Sequence, residues 1–333
     1  MLKVVENEAA IRRYQRQFAR ALRTAAREQV PVKLGHPGAS EKAKVAWSEE
    51  LGIWSFSRKL AGSRYWNAFG VGRPAGGDSI AITCEINFPL YGIDRRTGGA
   101  FAQDRAGRVF LVHRGKLGGG RRGVGKSLFE NHYRGLWEVM DDGGEETPVA
   151  IIGVLQSPRF ARQIAQFVRK IARIKEGALA RSSQVEIGFD EPALQEELIG
   201  ERFSETQRET GAECDHGLIV QDLADALKGQ GRRTGNDPCR DLLVQDPRGR
   251  IRAVFQIRTD MTLSGLHAAA TRLLLNGLSL PESPLLVLVL PSVPESALLE
   301  KLRRLNIELL PYAWQGDQAA FPELAALLQR IGS

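Results

Sequence analysis

The sequence predicts two domains, a β-rich basic domain followed by an α/β domain, so the chain spans the α+β and α/β classes. The chain has 333 residues, and such a length suggests two domains that each bury a core. Short strand-like runs fill residues 44–154, whereas helix and strand patterns alternate after residue 213. We therefore predict a β-rich basic domain at residues 1–180, an acidic connector at 181–212 and a second domain at 213–333.

The net charge divides the chain at nearly the same place. Residues 1–181 contain 31 basic and 17 acidic side chains, a net charge of +14, and residues 182–333 contain 15 basic and 22 acidic ones, a net charge of −7. This asymmetry favours a polyanion as the partner of the basic half. Nucleic acid is expected rather than a membrane, because no apolar run is long enough to cross a bilayer. The alternative is that the charge only serves solubility.

Residues 6–28 are predicted to form an amphipathic helix. Ile11, Tyr14, Phe18 and Leu22 recur at spacings of three and four, which places them on one face. The arginines around this face either contact phosphates or form a solvated surface. Pro31 and the glycines after it predict that the helix ends in a loop.

Five short strands are predicted next, separated by turns that contain Gly, Pro and Asp, which is the pattern of a small all-β structure. They cover residues 46–47, 53–56, 65–69, 80–86 and 109–113. Four of the five tryptophans lie between Trp47 and Trp137. Such rings form a core or, in nucleic-acid readers, a surface on which bases stack.

The densest basic segment lies between residues 105 and 134 and is interrupted by glycines. A glycine lets the backbone approach a phosphate closely, and each guanidinium can bind a phosphate bidentately. The candidate nucleic-acid-binding residues are Arg105, Arg114, Lys116, Arg121, Arg122 and Lys126.

Within this segment, residues 120–127 (Gly-Arg-Arg-Gly-Val-Gly-Lys-Ser) fit the P-loop pattern G-x-x-x-x-G-K-[ST]. A P-loop joins a buried strand to a helix, and residues 109–112 and 128–139 could supply them. However, a five-residue spacer follows the strand, and no apolar strand ending in Asp provides a Walker-B motif. The two additional arginines favour a loop that grips the DNA backbone. A P-loop NTPase remains the second alternative function.

Residues 158–176 are predicted to form a helix that completes the basic domain. The second domain is predicted to contain a helix at 218–227, a hairpin at 241–258, a helix at 264–277, a strand at 285–290, a helix at 294–305 and a strand at 307–310. The continuous apolar run at 285–290 is typical of a strand buried on both faces. The order α-β-β-α-β-α-β therefore predicts an α/β sheet with helices on both sides.

The hairpin carries the candidate catalytic residues. Two runs rich in Val, Ile, Leu and Phe flank a Pro-Arg-Gly turn. Asp241 opens the first strand, and Gln256 and Arg258, two residues apart, face the same side of the second. A carboxylate opposite an amide and a cation predicts a divalent-metal site beside a charge that neutralises phosphate.

The hairpin and the element order resemble the PD-(D/E)XK nuclease superfamily, which has the restriction-endonuclease fold, over residues 213–314. In that family an Asp on one strand and a Glu-x-Lys on the next bind Mg²⁺ and activate water. Asp241 stands at the position of the Asp, Gln256 at that of the Glu and Arg258 at that of the Lys.

The resemblance implies Mg²⁺ as the cofactor, with Asp241 and Gln256 as ligands and Arg258 as the third catalytic residue; Glu213 or Asp222 supplies a further carboxylate. Some active family members carry Gln at this position. Arg, in contrast, remains protonated and cannot accept a proton from water. The structural alternative is that Asp241 caps a turn and Arg258 pairs with it.

The histidines and cysteines give no sign of a metal site. His113, His132, His216 and His267 lack the spacing of metal ligands and are assigned structural or surface roles, with a nuclease based on His113 or His132 as an alternative. The three cysteines are widely spaced, and no signal peptide is evident at the start. We therefore expect a cytoplasmic protein without disulfides.

The predicted function is that of a DNA-binding protein of the restriction-modification or defence type, with a Mg²⁺-dependent endonuclease domain that is either active or degenerate. The first alternative is a DNA-binding module with an inactive nuclease fold, which is not an enzyme. Double-stranded DNA is the expected partner, and a homodimer is expected where both strands are cut.

Overall fold

A computed structural model gives the fold for residues 1–36, 39–117, 125–183, 202–203, 211–237 and 239–331. The chain divides into two compact units, of which the first comprises Met1–Val185 and Glu201–Cys214 and the second Glu186–Gly200 and Asp215–Ser333. Most of the predicted connector, residues 181–212, lies outside the described residues. Glu213, predicted to open the second domain, groups with the first unit.

The first unit consists mainly of short strands. Its described helices are Glu8–Ala25, Lys126–His132 and Phe160–Ser183. Its described strands are β1 (Leu2–Val4), β2 (Glu28–His36), β3 (Ala39–Ser48), β4 (Ile53–Leu60), β5 (Arg64–Val71), β6 (Ser79–Ala81), β7 (Cys84–Glu85), β8 (Phe88–Pro89), β9 (Gly99–Gln103), β10 (Val109–His113), β11 (Leu136–Asp141), β12 (Glu146–Val154) and β13 (Arg202–Phe203).

These strands form two sheets. One has the order β1-β9-β10-β12-β11-β13, and because β1 pairs with both β9 and β11, five of its strands close into a ring. The other has the order β6-β2-β3-β4-β5-β7, with β8 also paired to β5. Apolar side chains of both sheets and of the three helices share one core. The five predicted strands are all present, with residues 80–86 divided between β6 and β7.

One prediction for this unit is wrong. Residues 31–36, predicted as a loop, belong to β2, because alternate apolar side chains (Val30, Val32 and Leu34) are buried there and outweigh the proline. Residues 128–139, which could have supplied the helix after a P-loop, divide between the helix Lys126–His132 and strand β11. Leu136 and Met140 of β11 are buried in the sheet core.

The second unit is an α/β sheet. Its described helices are His216–Gly229, Leu263–Leu278, Ser296–Arg304 and Leu324–Ile331. Its strands are β14 (Arg233–Asp237), β15 (Arg240–Gln245), β16 (Ile251–Ile257), β17 (Leu285–Leu290), β18 (Ile307–Pro311), β19 (Ala313–Gln315) and β20 (Gln318–Ala320). The main sheet has the order β14-β15-β16-β17-β18, antiparallel from β14 to β16 and parallel from β16 to β18. The predicted helices and strands are therefore present. The edge strand β14, the short strands β19 and β20 and the helix Leu324–Ile331 are present in addition and were not predicted.

Helices cover both faces of this sheet. Val287 and Val289 pack on one side with the helices His216–Gly229 and Leu324–Ile331. Leu286, Leu288 and Leu290 pack on the other with the helices Leu263–Leu278 and Ser296–Arg304. Double burial is the reason that β17 is apolar at every position. In the part of the chain that the structure describes, no helix is long and apolar enough to cross a membrane.

Candidate functional site

Asp241 and Gln256 lie opposite each other on β15 and β16. These strands are antiparallel, and Asp241 and Gln256 each lie one residue beyond the paired residues Leu242 and Phe255. Nε2 of Gln256 donates a hydrogen bond to Oδ2 of Asp241, and the backbone N–H of Ile257 donates to the same oxygen at 2.8 Å. The structure therefore brings these two predicted site residues into direct contact.

His216 joins this pair from the helix that precedes the sheet. Its Nε2 lies 3.3 Å from Oδ2 of Asp241. The imidazole is buried, and so is Gln256, whereas the side chain of Asp241 remains 15% exposed. The three side chains form a compact polar cluster, which we call the Asp241 cluster. Sequence reasoning missed His216 because it lies 25 residues before Asp241 in no recognisable motif.

Arg258 pairs elsewhere. Its Nη2 donates to Oδ2 of Asp260, while Oδ1 of Asp260 accepts hydrogen bonds from the backbone N–H and the hydroxyl of Thr262 at 2.8 and 2.6 Å. Partial burial raises the pKa of Asp260, but the hydrogen bonds from Thr262 and the charge of Arg258 outweigh it and leave the pKa below its ordinary value. The alternative in which Arg258 pairs with Asp241 is therefore wrong.

Gly265 explains how Arg258 reaches this position. A Cβ atom at residue 265 would lie 2.4 Å from Nη2 of Arg258, so only glycine leaves room for the guanidinium. Nε of Arg258 is buried and has no hydrogen-bond partner. The guanidinium is thus held by Asp260 rather than directed at the Asp241 cluster.

The donor atoms of the Asp241 cluster do not fit Mg²⁺. Mg²⁺ prefers an octahedral set of oxygens that includes carboxylates, and this cluster offers one carboxylate, one amide and one imidazole. Asp222 accepts a hydrogen bond from the backbone N–H of Ala319 at 2.7 Å, and Glu213 groups with the first unit. Among the described residues, no group of three His, Cys, Asp or Glu side chains could hold a metal ion.

Arg114, predicted to bind nucleic acid, is a buried structural residue. It is 4% exposed, and its Nε and Nη2 donate to the two carboxylate oxygens of the fully buried Asp142 at 2.8 and 2.7 Å. Its Nη1 donates to the carbonyl oxygen of Gly99 at 3.3 Å. The prediction for Arg114 is wrong, because a guanidinium held bidentately inside the fold cannot reach a phosphate.

The other predicted basic residues lie at the surface or outside the described residues. Arg105 and Lys116 are exposed, and Nζ of Lys116 donates to the carbonyl oxygen of Arg95. Lys126 begins a helix and pairs with Glu130 at 3.3 Å. Arg121 and Arg122 lie outside the described residues, as does most of the P-loop-like stretch 120–127, so the nucleotide-binding alternative stays a prediction.

His113 is part of the core of the first unit. Its Nδ1 accepts a hydrogen bond from the backbone N–H of Gly115 at 3.1 Å, and its Nε2 lies 3.3 Å from the carbonyl oxygen of Glu85. These partners define a neutral ring protonated on Nε2. Complete burial lowers the pKa of His113 to about 4. A neutral imidazole enclosed in this way is structural, which argues against the nuclease based on His113.

Comparison of the chain with models of protein families, with characterised proteins and with solved structures gives no match. The assignment of a class therefore depends on geometry. The fold defines a two-unit mixed α/β protein, and the site is a buried Asp–Gln–His cluster beside a separate Arg–Asp pair.

Proposed function

We propose that this chain is a DNA-binding protein of the restriction or defence type whose second unit is a degenerate nuclease module. The observation that carries the proposal is the contact between Asp241 and Gln256 across β15 and β16. A phosphodiesterase centre of the PD-(D/E)XK type usually has acidic ligands at these two facing positions, and here one of them is an amide.

The arrangement of the second unit supports this proposal. The site lies on the antiparallel part of a sheet whose remaining strands are parallel and flanked by helices on both faces. The element order differs from the predicted one by the edge strand β14, the short strands β19 and β20 and the helix Leu324–Ile331, which leaves the order of β15, β16 and β17 as expected. A nuclease-type framework is therefore compatible with this unit.

The chemistry of the cluster favours binding over cleavage. Asp241 already accepts hydrogen bonds from Gln256 and from the backbone of Ile257, so its charge is stabilised without a cation. Arg258 stays protonated and is paired with Asp260, so it neither takes a proton from water nor points a free charge at a phosphate. These features support a scaffold that has lost hydrolysis.

Two measurements on the full-length chain test the proposal. First, fluorescence anisotropy with a labelled 20-base-pair DNA duplex is expected to show binding that weakens steeply with salt. Second, supercoiled plasmid incubated with Mg²⁺ or Mn²⁺ is expected to remain intact. If the chain binds no DNA at low salt, the proposal as a whole is refuted. If the wild type nicks the plasmid and Asp241→Ala abolishes the nicking, only the assignment of the centre as degenerate is refuted.

The second candidate is an active divalent-metal-dependent endonuclease. It is favoured by the position of His216, because an imidazole nitrogen beside a carboxylate and an amide suits a transition metal better than Mg²⁺. On this reading the plasmid is nicked with Mn²⁺, and Asp241→Ala and His216→Ala each remove the activity. The double change Gln256→Glu and Arg258→Lys separates the candidates further. If the centre is a degenerate nuclease, the wild type leaves the plasmid intact and the double variant nicks it.

A further inference from the structure

The first helix, Glu8–Ala25, exposes a dense row of arginines. Arg12, Arg16, Arg20 and Arg23 follow one another at spacings of four, four and three residues, and Arg13 lies beside them. All five are exposed. At about 100° per residue these positions occupy roughly 100° of the helix circumference, and the only acidic residue of the helix is Glu8 in its first turn. We call this face the arginine stripe.

The described part of the chain does not neutralise the stripe. Among the described residues, no carboxylate forms an ion pair with any of the five arginines. Other exposed arginines are paired, such as Arg73 with Glu28 at 2.9 Å, Arg96 with Asp94 at 3.2 Å and Arg304 with Glu300 at 2.6 Å. Like charges one helical turn apart repel each other and destabilise a helix. Such a concentration of unpaired charge suits an anionic partner.

The opposite face of the same helix is fixed in the core. Ile11, Phe18 and Leu22 are buried, and Nε2 of Gln15 donates to the side-chain oxygens of Ser57 and Asn67 at 3.0 Å each. The stripe is therefore presented on a rigid support. Because the apolar face is already buried, it cannot insert into the lipid interface as a membrane-binding amphipathic helix requires.

We infer that the arginine stripe binds the phosphate backbone of duplex DNA. The inference rests on the proposed function and adds to it a contact surface outside the glycine-rich segment. Arg12 and Arg23 are separated by about 16 Å along the helix axis, given a rise of about 1.5 Å per residue. A row of this length spans several phosphates of a duplex, and guanidinium groups bind phosphate oxygens bidentately.

The test compares two triple variants of the full chain. The stripe variant carries Arg12→Gln, Arg16→Gln and Arg20→Gln, and the control variant carries Arg73→Gln, Arg96→Gln and Arg304→Gln at exposed, ion-paired positions. Both lose three positive charges, and Gln is nearly as good a helix former as Arg. Binding to a labelled 20-base-pair DNA duplex is measured by anisotropy from 50 to 200 mM salt, with circular dichroism to verify folding.

The stripe variant is expected to show a plot of log affinity against log salt that is shallower by about 2.7, since each phosphate contact contributes about 0.9. The control variant is expected to keep the wild-type slope. A folded stripe variant with the wild-type slope overturns the inference and leaves the proposed function intact. Wild-type protein that binds no duplex at 50 mM salt overturns both, and binding of anionic phosphatidylserine vesicles in place of duplex overturns both as well.

Discussion

Gln256 donates a hydrogen bond from its side-chain amide to Oδ2 of Asp241 on the neighbouring antiparallel strand. With Glu at position 256, the two carboxylates would repel each other and require a cation between them. With Gln, the amide stabilises the carboxylate directly. Gln at position 256 therefore gives a hydrogen-bonded pair that is stable without a cation, where Glu would give a pair suited to one.

Asp241→Ala is expected to destabilise the second unit. The change leaves the buried amide of Gln256 and the backbone N–H of Ile257 without their acceptor and removes the partner of His216. Each buried polar group left without a partner costs about 1–3 kcal/mol. Because Asp241 is partly exposed, water can replace some of the lost hydrogen bonds, and the free energy of unfolding is expected to fall by about 2–3 kcal/mol. Urea denaturation measures this loss.

Asp225→Ala, at an exposed position on the neighbouring helix, serves as the control and is expected to change the unfolding free energy by less than about 0.5 kcal/mol. Equal stability of both variants would show that the cluster contributes nothing.

Gln256→Glu is expected to make stability depend on metal. The new carboxylate faces Asp241, so the melting temperature in EDTA falls below that of the wild type. Mn²⁺ or Mg²⁺ between the two carboxylates then raises it, because a ligand that binds only the folded state stabilises that state. Differential scanning fluorimetry with and without metal tests this expectation.

The wild type and the double variant Asp241→Ala/Gln256→Glu are the controls for that experiment. Each carries a single carboxylate at the two facing positions, and neither is expected to respond to metal. If metal raises the melting temperature of all three proteins equally, the response arises elsewhere.

Arg114→Met is expected to destabilise the first unit by about 3–5 kcal/mol, because it leaves the charge of Asp142 buried without its bidentate partner. Its effect on DNA binding is expected to be small in protein that remains folded. Arg96→Met removes an arginine of a surface pair whose side chain is 92% exposed, and a change below about 1 kcal/mol is expected there. Chemical denaturation and the salt dependence of DNA affinity are the two readouts. A stable Arg114→Met protein with a shallower salt slope would return Arg114 to the DNA-binding surface.

His113 is expected to make the first unit sensitive to mild acid. The pKa of His113 is lowered by burial from 6.5 to about 4, so the unfolded chain binds a proton between these values that the folded protein does not. The stability due to the neutral ring is present above about pH 6.5 and declines as the pH falls toward 4, by about 3 kcal/mol in total. The measurement is the difference in unfolding free energy between wild type and His113→Gln at pH 7, 5.5 and 4.

The difference is expected to shrink as the pH falls, because only in the wild type does this ring take up a proton on unfolding, which favours the unfolded state. The exposed His267 provides a matched variant, His267→Gln, for which a constant difference is expected. A constant difference for His113→Gln as well would contradict the burial of a neutral ring at this position.

The sequence by itself determined the division of charge, most strands and helices, and the facing of Asp241 and Gln256. Each of these follows from local information. Apolar side chains alternate in strands and recur every three or four residues in helices, and a hairpin brings together residues close in sequence. For this reason the one candidate pair within a hairpin was predictable from residue positions alone.

Only the tertiary structure decided which charged and polar groups are buried and what they contact. His216 meets Asp241 because a helix packs on the sheet, Arg114 meets Asp142 across 28 residues, and Arg258 turns to Asp260 because Gly265 leaves space for it. Arginines that the sequence alone does not distinguish therefore differ in the structure: Arg114 forms an ion pair in the core, whereas those of the first helix form an exposed stripe. The physical reason is that a charge is buried only where the packed chain supplies a partner for it. Packing selects that partner whether it lies 28 residues away, as for Arg114, or two, as for Arg258.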